Sequence, residues 1–224
     1  YKNDTKVYGM KISAVLFDLD GTLIDSAPNL MVSWASTLSE IGIKVNPEDI
    51  KKFVGLSPKV IISHFIPDPS DELIEKLKDR RKMYFKRNLK YVKLFDDALE
   101  LLNYLKQARI KAALATSMGK DMLIDIIQYF NLDRYLCCWV SAEDVQNPKP
   151  APDVFLKALE LTEETKESAL GVGDREYDVM AIKSADIKSV LVKRDEFSVC
   201  KNVTPDIIVN RLNELIPLIK SQIY

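Results

Sequence analysis

The chain has 224 residues, 47% of them hydrophobic, enough for one large domain or for one domain carrying an insertion. Its 32 Lys and Arg nearly balance 33 Asp and Glu, and no basic run or aromatic-interleaved patch occurs, so neither nucleic acid nor an anionic membrane is indicated as a partner. No apolar stretch approaches a bilayer span and the polar start lacks the apolar core of a signal peptide. Three cysteines, with Cys137 and Cys138 adjacent, form no disulfide framework; a soluble cytoplasmic protein with reduced, core-packed cysteines is expected.

In chain order, residues 1–10 read as a frayed or vector-derived tail ahead of a candidate initiator, Met10. A strand is predicted from Ile12 to Phe17, its last four residues apolar in the manner of a strand buried on both faces. Leu30, Trp34, Leu38 and Ile41 recur at helical spacing before Gly42, Asn46-Pro47 and Ser57-Pro58 each open a further helix, and Ser70 opens a long one with Leu73, Leu77 and Tyr84 along one side and many Lys and Arg opposite. No strand is expected between 27 and 91, so this block reads as an inserted helical bundle on its own small core. The sole histidine, His64, falls in the third helix, where it reads as a packed or half-exposed residue.

Beyond Lys93 strand and helix alternate. Helices are predicted after Phe95-Asp96 (Leu101, Leu102, Leu105), over 121–130, 153–161, 177–184 and 213–219, and strands over 110–115, 137–140, 169–172, 189–192 and 207–209. Such alternation implies right-handed crossovers and a doubly wound parallel α/β sheet, with sites at the C-terminal strand ends. The expected division is a tail (1–10), a core domain (11–26 and 92–224) and a helical domain (27–91).

Asp18 and Asp20 follow the first strand and, two apart in an extended segment, point the same way; the bland reading is an ordinary Asp-Gly turn. Thr116-Ser117 ends the second core strand and could instead be a helix N-cap. Lys149 lies among prolines, where a solvated loop residue is the plain alternative, and Asp174 and Asp178 could simply favour a helix start. Together they supply what phosphoryl transfer needs. A carboxylate nucleophile is ionised at neutral pH but must approach another anion, so Mg²⁺ and a lysine have to cancel the repulsion. Asp18, Asp20 and Asp174 offer hard oxygen ligands for Mg²⁺, and Thr116 with backbone N–H groups is left to hold phosphoryl oxygens.

Phe17-Asp18-Leu19-Asp20-Gly21-Thr22, then Thr116, then Lys149 in Lys-Pro-x-Pro-Asp, then Gly173-Asp174-x-x-x-Asp178 resemble, in order, the four motifs of the haloacid dehalogenase superfamily. The helical block resembles its small α-helical cap, as in the phosphoglycolate phosphatase and β-phosphoglucomutase branches. The resemblance implies a Rossmann-like core in which Asp18 attacks phosphorus to form an aspartyl phosphate and Asp20 acts as general acid, then base. It implies that Thr116 and Ser117 bind the phosphoryl group, that Lys149 steadies nucleophile and phosphate, and that Mg²⁺ is held by Asp18, Asp174 and the Asp20 backbone carbonyl, with Asp178 acting through water or a hydrogen bond. Gly55 to Lys59 and Trp34 are the cap residues expected to meet substrate. The second aspartate of the first motif argues against dehalogenation, and Gly55-Leu56-Ser57-Pro58-Lys59 lacks an arginine typical of the mutases. A phosphatase acting on a small phosphorylated metabolite is therefore expected, as a monomer or homodimer, with a phosphosugar mutase and a non-catalytic phosphate-ligand-binding protein as alternatives. Two departures stand out: Leu94-Phe95-Asp96-Asp97-Ala98 replaces the usual Pro-Gly-Val segment entering the core, and Ala185-Asp186 replaces an Ala-Gly pair, so Asp186 is expected in the left-handed region.

Overall fold

Ala14–Phe17 (β1) alternates its side chains between two buried layers, Val15 and Phe17 into one and Ala14 and Leu16 into the other, as a strand at the centre of a parallel sheet must. The computed structural model describes residues 11–54 and 56–221. After β1 come Ile24–Asp25 (β2), Ala27–Ser39 (α1), Pro47–Ile50 (α2), Pro58–Phe65 (α3), Asp71–Arg87 (α4), Lys93–Leu94 (β3), Asp96–Ala108 (α5), Lys111–Ala115 (β4), Lys120–Phe130 (α6), Cys138–Val140 (β5), Asp153–Thr162 (α7), Ala169–Gly173 (β6), Glu176–Ser184 (α8), Lys188–Val192 (β7), Ile207–Val209 (β8) and Leu215–Lys220 (α9). The six long-range strands form one parallel sheet in the order β5-β4-β1-β6-β7-β8. Phe17 pairs with Leu114 on one side and Val172 on the other, so Asp18, Thr116 and Asp174 leave the sheet at one edge.

The two faces are covered differently. Leu101 and Leu105 of α5, Leu123 and Ile127 of α6 and Leu215 of α9 pack on the Val15 and Phe17 side. On the other, Ala14, Ala113, Ala115 and Ala158 give a close approach to α7 and α8. There Gly171 is required: a Cβ on it would stand 2.5 Å from Ile182 Cγ2.

The predicted elements are present, with boundary shifts: β1 begins at Ala14 rather than Ile12, and the last helix opens with a 3-10 turn at Leu212–Glu214. The pair β2 and β3 was not foreseen. These antiparallel two-residue strands carry the chain into and out of the helical segment, and two residues are too short to show a period-two pattern. The buried side chains of the helical segment are continuous, through Leu19, Leu23 and Ile24, with those of the sheet face beneath. Asp186 has a φ of 60°, in the left-handed region as expected.

The three cysteines are free, as expected, but they are not core residues: Cys137 is exposed and Cys138 and Cys200 are half-buried, the first two because they lie at the edge strand β5, of which only one face is covered. His64 lies exposed on α3 with its ring 4.5 Å from that of Phe53, outside any polar cluster. Among the described residues no helix is long and apolar enough to cross a membrane. The tail assignment (1–10) and Gly55 lie outside the described residues.

Candidate active site

The chain leaves β1 through Asp18 and turns sharply at Gly21, whose φ is +82° and where a Cβ would fall 2.4 Å from Asp174 Oδ2. A residue with φ > 0 and no side chain is what brings this turn against the end of β6. Asp18, Asp20, Asp174 and Asp178 are all buried there. Asp18, Asp174 and Asp178 each offer a carboxylate oxygen, and these lie within 4.8 Å of one another. Asp178 is brought in by the first turn of α8, where its Oδ2 accepts from the Arg175 N–H at 3.1 Å. Gly173 permits this, since a Cβ there would meet Asp178 Cβ at 2.3 Å.

Lys149 is neither exposed nor a loop ornament. Its Nζ donates to Asp18 Oδ1 at 2.7 Å and to Asp178 Oδ1 at 2.8 Å, with 2% of the side chain exposed. Burial alone would lower its pKa, but the fields of Asp178 and Asp18 win and hold it above the usual lysine value. Burial raises Asp18 to about 7, with Asp178 and Asp20 adding to the effect and Lys149 opposing it. Asp174 is pushed well above its ordinary value, first by burial, against the pull of Arg175. The Arg175 Nε lies 3.1 Å from Asp174 Oδ2 without hydrogen-bonding geometry, because its guanidinium is aligned on Asp195 at 2.7 and 3.1 Å. Asp174 Oδ2 is thus buried with no hydrogen-bond donor. Three converging carboxylates, one of them with an orphaned oxygen, form a donor set suited to a hard divalent cation.

Asp20 points elsewhere. Its carboxylate accepts from the Ser26 hydroxyl, and burial raises its pKa against that hydrogen bond and against the field of Arg81. Its side chain lies outside the three-carboxylate group. Thr116 is buried and its Oγ1 accepts from the Met118 N–H at 3.0 Å; it does not cap α6, whose N-cap is Gly119. A cavity of about 30 Å³ unites Asp18, Asp20, Thr116 and Ser117 with Trp34 and Arg81 of the helical segment, and a wider cleft of about 450 Å³ adjoins it at Pro58, Arg81 and Ser117. Trp34, expected among the cap residues that meet substrate, thus lines the same cavity as Asp18 and Thr116.

Two residues escaped that reasoning. Ser26, next to Ala27-Pro28, has the look of a helix cap, yet its side chain makes no capping bond and serves Asp20 instead. Arg81 was absorbed into the charged side of α4. The signal was present: Ile74, Leu77, Arg81 and Phe85 are spaced 3, 4 and 4 apart, so an arginine occupies the buried stripe.

A profile of the family described as haloacid dehalogenase-like hydrolase matches residues 15–192. A protein provisionally named pyrophosphatase PpaX from Caldanaerobacter subterraneus subsp. tengcongensis is 35% identical over 214 residues, covering 94% of this chain and 96% of its own. A phosphoglycolate phosphatase from Aquifex aeolicus is 30% identical over 210 residues, covering 93% and 97%. In fold, a β-phosphoglucomutase from Clostridium difficile superposes with a TM-score of 0.80 at 21% identity, covering 94% of this chain and 96% of that one. Four ordered motifs gathered at one sheet edge and a matching profile over most of the length have one reading: the chain belongs to the haloacid dehalogenase-like hydrolase family.

Proposed function

We propose that this phosphatase hydrolyses a small phosphomonoester in the presence of Mg²⁺ through a phosphorylated Asp18. One observation carries the reading: Lys149 bridges Asp18 and Asp178 inside a buried carboxylate group that also contains the orphaned oxygen of Asp174. Asp18, Asp174, the Asp20 backbone carbonyl and, through water or directly, Asp178 would hold the cation. Once bound, Mg²⁺ supplies positive charge that lets two anions meet.

Asp18 attacks phosphorus and the bond to the leaving oxygen breaks. Asp20, whose carboxyl is biased toward the protonated form by burial, donates a proton to that oxygen. The resulting carboxylate then takes a proton from the water that splits the aspartyl phosphate, returning Asp18 and releasing phosphate. Thr116 and the backbone around Ser117 hold the phosphoryl oxygens, and Lys149 orients the nucleophile and offsets charge. The division into a core (11–26 and 92–224) and a cap (27–91) assigns chemistry to the sheet edge and substrate choice to Trp34 and its neighbours, with Gly55, which falls between α2 and α3 in the sequence, as a further substrate residue.

The similarity to a phosphoglycolate phosphatase and to a protein named as a pyrophosphatase favours hydrolysis over sugar-phosphate isomerisation. Phosphate release from an aryl phosphate, measured with and without Mg²⁺, is expected from the wild type and expected to fall at least about a thousandfold in Asp18→Asn. Turnover unaffected by that substitution rules the mechanism out.

A further inference from the structure

The phosphoryl end of the site already has its cation in Lys149, yet a second buried cation faces the same cavity. Arg81 is 8% exposed, and among the described residues it makes no hydrogen bond or ion pair. Its Nε is buried without an acceptor, and the contact that holds the guanidinium is the ring of Trp34, 5.4 Å from centroid to Cζ. Burial lowers its pKa to about 10, with Asp20 pulling the other way, so the group stays charged at neutral pH. Asp20 acts on it as a nearby negative charge but makes no hydrogen bond or ion pair with it, and the Asp20 carboxylate accepts from Ser26.

A buried guanidinium with no hydrogen-bond acceptor is costly, and the cost falls when an anion arrives in its fork. Resting on the phosphatase reading above, we propose that Arg81, backed by Trp34, is the specificity residue that receives a second anionic group on the leaving side of the substrate. The substrate class is then a compact phosphoryl compound with a carboxylate or a further phosphoryl group close to the scissile bond, and neutral-tailed phosphate esters are disfavoured. A carboxylate and a phosphoryl group share the chemistry that Arg81 reads: two coplanar oxygens bearing negative charge.

Three substrates test this: phosphoglycolate, inorganic pyrophosphate, and 2-hydroxyethyl phosphate, in which a neutral hydroxymethyl replaces the carboxylate of phosphoglycolate. The wild type is expected to prefer at least one anionic-tailed substrate by about 30-fold or more in kcat/KM, the size expected of a buried charge-assisted pair. In Arg81→Gln that ratio should fall about tenfold or more, chiefly through KM, and Arg81→Lys should retain part of it. The larger of the two anionic arms names the tail. A wild type that turns over all three alike, or an Arg81→Gln enzyme with an undiminished ratio, overturns the assignment while leaving the phosphatase intact. A wild type that cleaves the aryl phosphate but none of the three also overturns the assignment, whereas one that cleaves neither fails the phosphatase reading itself. Should Arg81→Gln not fold, inhibition of wild-type 2-hydroxyethyl phosphate turnover by glycolate but not by ethylene glycol carries the same decision, and equal inhibition by both overturns it.

Discussion

At the scale of single residues, the two aspartates of the first motif are separated by what each touches. Asp18 meets Lys149 and the other cation-facing carboxylates, while Asp20 is turned to Ser26. Asp20→Asn should therefore spare Mg²⁺ binding, and Asp174→Asn should weaken it by about tenfold or more. Calorimetric titration of both variants decides the matter: equal losses contradict a backbone-only contact from Asp20. The Asp18 and Asp174 positions were readable because each follows an apolar strand and precedes a segment with special backbone demands, the Gly21 turn or the start of α8. Arg81 and Ser26 were not, because their meaning depends on the crossing of α4 over the sheet edge, which no local pattern specifies.

Between elements, the clearest departure from the family pattern has a structural counterpart. Asp97, in the segment where Pro-Gly-Val is usual, is buried at the start of α5. It accepts from Arg194 at 2.8 and 3.1 Å and from the Leu212 N–H at 2.7 Å. Arg194 also donates to the Thr22 carbonyl at 2.9 Å and lies over Phe95, 3.8 Å from its centroid. An unusual acid in α5 thus ties the first-motif turn to the loop after β7 and to the C-terminal 3-10 turn. Burial acts to raise the Asp97 pKa, but the Arg194 hydrogen bonds, the Leu212 amide and the arginine charge prevail and hold it below its ordinary 3.8. A carboxylate depressed on folding contributes stability above its unfolded value, and that contribution disappears as pH falls through the folded value. Asp97→Asn should cost about 2–3 kcal/mol at pH 7 in urea unfolding, with the difference from wild type shrinking as pH falls below about 4. The sequence marked the departure but not its partner, since Arg194 is 97 residues away and nothing in either segment's periodicity links them. The doubly wound order of the sheet, by contrast, was legible, because alternation of strand and helix constrains topology strongly.

Over the whole molecule, the site stores a charge conflict that shows in stability. Asp18 is raised from 3.8 to about 7 by burial first, then by its acidic neighbours, against Lys149. A carboxyl with a raised folded pKa stabilises the fold below its unfolded value and loses that contribution as pH climbs through the folded one. Without added metal the protein should therefore lose thermal stability between about pH 4 and about pH 7, and Mg²⁺ should raise Tm more at pH 8 than at pH 5.5, by several degrees. Asp18→Asn should flatten the metal-free profile and shrink the Mg²⁺ response; a Tm gain independent of pH in both proteins contradicts the account. The short pair β2 and β3 has its own consequence for the molecule as a machine. The outgoing and returning chain are stitched to each other at Ile24–Leu94 and Asp25–Lys93, so the helices between them enter and leave the core at a single place. With one shared crossing point, any displacement of those helices would carry Trp34 and Arg81 together relative to Asp18.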